Sequence, residues 1–62
     1  MKMMQITKWL DPDDETWFNG TYITTREWLM IEKERLSKLT NKRVVIRTDS
    51  DGAKAIFRER IK

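Results

Sequence analysis

The chain has 62 residues, of which 39% are hydrophobic and 37% are charged, and its formal net charge is +3 at pH 7. This length accommodates a single small domain, residues 1–62, with few core side chains. Histidine and cysteine are absent, which excludes disulfides, thiolate metal sites and the commonest bases and nucleophiles near neutral pH, so we expect no enzymatic activity and no cofactor.

Charge is divided unevenly along the chain. Residues 1–32 carry three basic and six acidic side chains, a net −3, whereas residues 33–62 carry ten basic and four acidic side chains, a net +6. Such asymmetry is typical of a protein with a charged partner or of internal charge complementarity. No apolar run approaches the roughly 20 residues of a membrane span, and the first five residues lack a signal-peptide pattern. We expect a cytoplasmic protein with no membrane partner.

The first predicted element is a strand within residues 2–10, which are rich in methionine, isoleucine and tryptophan. Two signals compete in the stretch that follows. Asp11, followed by Pro12, favours the start of a short helical turn. The Asn-Gly pair at 19–20 instead favours a type I′ hairpin. We expect a second strand somewhere in residues 17–23.

A helix is predicted over residues 25–40, which are mostly good helix formers. Thr24 and Glu27 fit a capping box at its start, and Asn41 suits a left-handed residue at its end. On a helical wheel one side is apolar and is expected to face a sheet. The residues on that side are Trp28, Leu29, Ile31, Leu36 and Leu39.

Two charged residues, Glu32 and Arg35, fall inside this apolar stripe. Their three-residue spacing permits an ion pair along the helix, with the long side chains reaching the helix flank. The alternative is a buried pair between Glu32 and a strand residue such as Arg47. That buried pair would lower the pKa of the Glu32 carboxyl.

The last third of the chain predicts a β-hairpin. Residues 43–48 and 53–61 are β-type runs, and the Asp-Ser-Asp-Gly sequence at 49–52 is typical of a turn. The expected fold is therefore α+β, with the order ββαββ and one helix packed on one face of an antiparallel sheet of about four strands.

Period-two alternation assigns the two faces of this hairpin. Ala55, Phe57 and Ile61 are expected to face the core. Val44 and Ile46 join them from the preceding strand. The outer face then carries Val45, Ile56 and a row of cations, the predicted basic face, which consists of Arg43, Arg47, Lys54, Arg58, Arg60 and Lys62.

Rows of arginine and lysine on an open sheet suit contact with phosphates. A solvated face that discourages aggregation explains the same pattern equally well. The predicted basic face contains no interleaved aromatic residue, which counts against a stacking platform for single strands.

A second candidate for partner binding lies near the acidic stretch and consists of Trp9, Trp17, Asp13 and Asp14. Exposed tryptophans anchor protein partners, although core packing is the commoner fate of tryptophan in a small domain.

The length, composition and one-helix-on-sheet layout resemble small accessory proteins of bacteriophages, which act by binding a host protein. The resemblance is one of size and architecture and carries no motif. We expect a protein-binding inhibitor or adaptor; the alternative is a nucleic-acid-binding module that contacts phosphates through the predicted basic face. A homodimer through the last strand, as a sheet edge, would add a further route to function.

Overall fold

One helix and five short strands make up the fold in a computed structural model that describes residues 2–60. The elements are β1 (Met3–Gln5), β2 (Glu15–Phe18), β3 (Thr21–Thr24), α1 (Thr25–Thr40), β4 (Val44–Thr48) and β5 (Lys54–Glu59). They form a three-stranded antiparallel sheet with the order β1-β5-β4 and a separate hairpin, β2-β3. The α+β class is confirmed, whereas two sheets replace the predicted sheet of four strands.

The additional strand comes from the Asn-Gly turn. Asn19 and Gly20 both have positive φ, 51° and 86°, which is the type I′ geometry whose twist matches the flanking strands. The competing helical signal produces only one turn. The backbone N–H of Asp13 donates to Asp11 Oδ1 (2.9 Å), and that of Asp14 donates to the Asp11 carbonyl (3.1 Å). Strand β2 then begins at the next residue.

Both predicted ends of the helix are confirmed. The Thr24 hydroxyl accepts a hydrogen bond from the backbone N–H of Glu27 (3.2 Å), which satisfies one of the free N–H groups of the first turn. Asn41 has φ 54°, and its N–H donates to the Ser37 carbonyl (3.0 Å). Asparagine tolerates this left-handed conformation better than most residues, so the helix stops there.

The core lies between α1 and one face of the three-stranded sheet. Leu29, Val44 and Ile56 are its buried residues. The apolar side chains packed against them are Ile6, Leu10, Trp28, Leu36 and Ile46. Ile46 lies directly opposite Ile56 in the sheet, and directly opposite residues share a face. Phe57, the next residue of β5, therefore lies on the face that points away from the helix.

The face assignment of β5 from sequence is thus wrong by one residue. Ile56, predicted outside, is fully buried, and Phe57, predicted to contact the helix, is on the far side. Ala55 is buried as expected, but it lies opposite Arg47 on that same far side. Period-two alternation in the sequence could not decide whether Ile56 or Phe57 faces the core. The pairing of β5 with β4 decides it. Ile61 lies outside the described residues.

Two further expectations are corrected. Strand β5 is the central strand, so the edges of the sheet are β1 and β4 rather than the last strand. The apolar stripe of α1 is also narrower than the wheel predicts, because Ile31 and Leu39 are exposed. No helix within residues 2–60 combines the length and the apolar composition that crossing a membrane requires.

Candidate functional site

Within residues 2–60, no helix or further strand packs on one face of the three-stranded sheet. Helix α1 packs on the opposite face, and β2 and β3 contact only each other and α1. The fold measures only 12 Å along its shortest axis, which is one layer of helix on one layer of sheet. We call this surface the open sheet face. Its strand residues, from the observed pairing, are Met3, Gln5, Val45, Arg47, Ala55, Phe57 and Glu59.

Two aromatic rings and a guanidinium group form a cluster on the open sheet face. The ring centroids of Trp9 and Phe57 are 5.8 Å apart, with an interplanar angle of 56°. The guanidinium carbon of Arg47 lies 4.9 Å from the centroid of Phe57, within range of a cation–π interaction. Trp9 is 41% exposed. We call these three side chains the aromatic–arginine cluster.

A second arginine flanks the cluster on the same side of the sheet. Arg43 precedes β4 and, together with Met3, Val45 and Arg47, lines a shallow depression. Neither arginine has a carboxylate within ion-pair distance among residues 2–60. Glu59 is the acidic strand residue on this face, and its Oε1 accepts a weak hydrogen bond from the Arg43 backbone N–H (3.5 Å). Both guanidinium groups therefore remain available to an anionic ligand.

The remaining cations of the predicted basic face lie elsewhere. Lys54 and Arg58 share the helix side of β5 with Ile56. The Lys54 ammonium donates to the Thr48 hydroxyl (2.7 Å). An Arg58 guanidinium nitrogen lies 3.5 Å from the sulfur of Met4, and its Nε is buried with no partner in the described part of the chain.

Arg60 lies just beyond β5 and is exposed, and Lys62 lies outside the described residues. The predicted row of cations is consequently divided between two sides of the sheet. Among the members that the structure describes, only Arg43 and Arg47 share the open sheet face with the aromatic rings.

The β2-β3 hairpin presents a separate exposed aromatic pair. Trp17 and Tyr22 lie directly opposite each other, with ring centroids 5.0 Å apart in an edge-to-face arrangement. Their exposed fractions are 61% and 62%. The other side of the hairpin, with Thr16 opposite Ile23, faces inward, and the hydroxyls of Thr16 and Thr25 lie 2.7 Å apart. The hairpin aromatic pair is therefore held at the surface.

The second candidate site is also divided. Trp9 lies on the open sheet face, and Trp17 lies on the hairpin. Asp13 precedes the hairpin and forms an exposed ion pair with Arg26 (3.2 Å). Asp14 is exposed and has no ion-pair partner within residues 2–60. The same is true of Glu15, which lies two residues before Trp17 on the same side of β2, so acidic charge borders the hairpin aromatic pair.

The Glu32 carboxylate pairs along the helix rather than with the sheet. It accepts hydrogen bonds from Nε (3.0 Å) and Nη2 of Arg35. These bonds hold the pKa of the Glu32 carboxyl below its ordinary value, although partial burial opposes the shift. The alternative pair with Arg47 is wrong, since that residue lies over Phe57. This charge pair serves the helix and not the open sheet face.

Two site residues escaped the sequence-based prediction. Tyr22 was predictable, because a two-residue turn at 19–20 places it opposite Trp17. Phe57 was not, because alternation in β5 assigned it to the wrong side.

Within residues 2–60, no group of three acidic side chains is arranged to hold a metal ion. Comparison of the chain with protein-family models, curated proteins and solved structures found no match.

Proposed function

We propose that this protein is a non-enzymatic module that binds single-stranded nucleic acid through the open sheet face. The observation that carries the proposal is the aromatic–arginine cluster, which combines stacking surfaces and a guanidinium group on an uncovered sheet. Sheets with this combination bind single strands by stacking bases on aromatic rings and by contacting phosphates with cations. The apparent lack of interleaved aromatic residues was the main argument from sequence against this function.

Each side chain has a distinct role in this proposal. Trp9 supplies an exposed ring on which a base stacks. Phe57 holds the Arg47 guanidinium over its ring at 4.9 Å, and in this proposal the planar guanidinium supplies a second stacking surface. Arg43 and Arg47 are four residues apart along an extended chain, which is roughly 13 Å. A nucleic-acid strand that crosses the open sheet face therefore meets one cation on either side of Val45.

Single strands are favoured over duplexes because stacking on protein rings requires bases that are not stacked in a helix. A duplex binder relies instead on many phosphate contacts, and the open sheet face offers two arginines and one opposing carboxylate, Glu59. With two phosphate contacts, log K against log salt is expected to have a slope of about −1.4.

The test is fluorescence anisotropy with a labelled oligothymidylate at low salt. Phe57→Leu is expected to weaken binding by about 5-fold to 150-fold, which corresponds to the loss of roughly one stacked base. Arg47→Lys keeps the charge but loses the planar group, so it is expected to weaken binding as well. Tyr22→Leu is the matched control, an exposed aromatic on the other sheet, and is expected to bind like the wild type.

Absence of binding at low salt would refute the proposal. So would equal losses for Phe57→Leu and Tyr22→Leu, because the open sheet face would then have no special role. A preference for duplex DNA over the single strand would also contradict it.

The hairpin aromatic pair supports a second candidate function, protein binding of the inhibitor or adaptor kind. Exposed aromatic residues are the commonest anchors at protein interfaces, and Trp17 and Tyr22 lie beside exposed acidic residues that favour a basic partner. The same pair also stabilises the hairpin itself.

Capture experiments with nuclease-treated lysate separate the two functions. Wild type and Phe57→Leu are expected to retain the same stoichiometric protein, and Trp17→Ser is expected to lose it. If no stoichiometric protein is captured, or if Trp17→Ser captures it equally well, the hairpin is not the anchor.

A further inference from the structure

Strand β4 leaves the backbone groups on its outer side without partners. The Asp49 N–H donates to the Ala53 carbonyl, which shows that odd-numbered residues of this strand direct their backbone groups toward β5. Val44, Ile46 and Thr48 must then direct theirs outward, and these groups make no hydrogen bond within residues 2–60. The strand contains no proline and has three successive aliphatic residues, so Arg47 within it and Arg43 beside it are the charged residues that limit edge pairing.

An exposed apolar side chain of the helix lies beside this edge. Met30 is 54% exposed and shares a groove with Leu29 and Ile46 of the core. Leu39, which is 68% exposed, is nine residues further along and therefore lies on the opposite flank of the helix, roughly 180° away. Only one of these two exposed side chains can contact a molecule that pairs with β4.

We propose that β4 and Met30 form a self-association interface, in which the β4 strands of two copies pair antiparallel about a two-fold axis through Ile46. This register places Arg43 opposite the partner's Asp49 and Arg47 opposite the partner's Val45. Two neighbouring registers also join the outward-pointing backbone groups. An axis through Val45 places Arg43 opposite the partner's Arg47, and an axis through Arg47 places the two copies of Arg47 opposite each other. Like charges directly opposite each other are destabilising, so charge selects the register centred on Ile46.

The paired copies would form one six-stranded sheet, with both helices on one side and both open sheet faces on the other. Two aromatic–arginine clusters would then share one continuous surface. That surface would bind a longer stretch of single-stranded nucleic acid, a consequence that rests on the proposed function. The pairing itself does not depend on that function. We infer a second copy of the chain as the partner because the complementary charges, Arg43 and Asp49, lie at the two ends of β4 itself.

Sedimentation equilibrium over a range of concentrations tests the pairing. The wild type is expected to approach twice the chain mass of 7.5 kDa. Met30→Glu and Arg43→Glu are expected to weaken dimerisation by at least about tenfold, because each adds a carboxylate at the interface. Leu39→Glu, on the opposite flank of α1, and Arg60→Glu, in the segment that bonds toward β1, add the same carboxylate outside the interface and are the matched controls. All four positions are exposed, and circular dichroism verifies that the fold is retained.

Amide hydrogen exchange on the wild type tests the register without substitution. The N–H groups of Ile46 and Thr48 are expected to gain protection as concentration rises, while those of Val45 and Arg47 are protected throughout. A monomer at every concentration, or equal weakening by Leu39→Glu and Met30→Glu, would overturn the inference. If the protein is monomeric but still binds oligothymidylate in a manner that depends on Phe57, only the inference of self-association fails and the proposed function stands.

Discussion

Substitutions at Ile56 and Phe57 test the face assignment on which the open sheet face depends. Ile56 is fully buried against Leu29 and Val44, whereas Phe57 is half-buried and contacts Trp9 and Arg47 from the other side. Truncation of the smaller residue should therefore destabilise the protein more than truncation of the larger one. The period-two assignment from sequence predicts the reverse.

The magnitudes separate the two arrangements. Replacement of a buried isoleucine by alanine costs about 2–5 kcal/mol, and replacement of a core phenylalanine costs about 3–5 kcal/mol. Phe57→Ala on the open sheet face leaves no enclosed cavity; it loses one aromatic contact and one cation–π contact, about 1–2.5 kcal/mol, in addition to the apolar area that the partly buried ring covers. At roughly 0.05–0.15 kcal/mol per residue, the whole domain is stable by about 3–9 kcal/mol. Ile56→Ala is therefore expected to remove a large part of this stability.

The assay is urea unfolding followed by circular dichroism. If Ile56→Ala proves too unstable to measure, Ile56→Val provides a graded substitute that costs about 1 kcal/mol and lowers Tm by about 4–8 °C. A larger loss of unfolding free energy for Phe57→Ala than for Ile56→Ala would refute the arrangement. The cluster would then belong to the core, and the proposed binding surface would fail with it.

Three further predictions concern α1. Leu29→Ala, at a fully buried position, is expected to cost about 2–5 kcal/mol of unfolding free energy, while Leu39→Ala, at a 68% exposed position, should change it by no more than about 0.5 kcal/mol; urea titration compares them directly. Thr24→Ala removes the N-cap oxygen and should cost about 1 kcal/mol, seen as a lower Tm, and an unchanged Tm would mean that the cap contributes nothing. Because Arg35 lowers the pKa of Glu32 below its ordinary value of 4.5, the ion pair stabilises the fold above that pH and this contribution disappears as pH falls through the lowered pKa. Glu32→Gln should reduce the loss of unfolding free energy over this acid range by about 0.5 kcal/mol. Identical curves of unfolding free energy against pH for wild type and variant would contradict this.

The sequence itself specified the local features of this protein. The Thr24 cap, the left-handed Asn41 and the Asn-Gly turn each depend on hydrogen bonds or dihedral preferences within a few residues. The turn after β4 has the same character, because Asp49 Oδ1 accepts hydrogen bonds from two nearby N–H groups. Such local signals can be recognised without knowledge of the rest of the chain. They were sufficient for the helix, its boundaries and the α+β class.

Only the tertiary structure decided which side of β5 faces the helix and where the aromatic residues meet the arginines. Phe57 acquires its neighbours from β4 and from the segment after β1, which are more than nine and more than 40 residues away in the chain. Ile56, the residue before it, is almost equally apolar, so the choice of face depends on the pairing register and not on local preference. The candidate binding surface exists because Ile56, rather than Phe57, fits beneath Leu29.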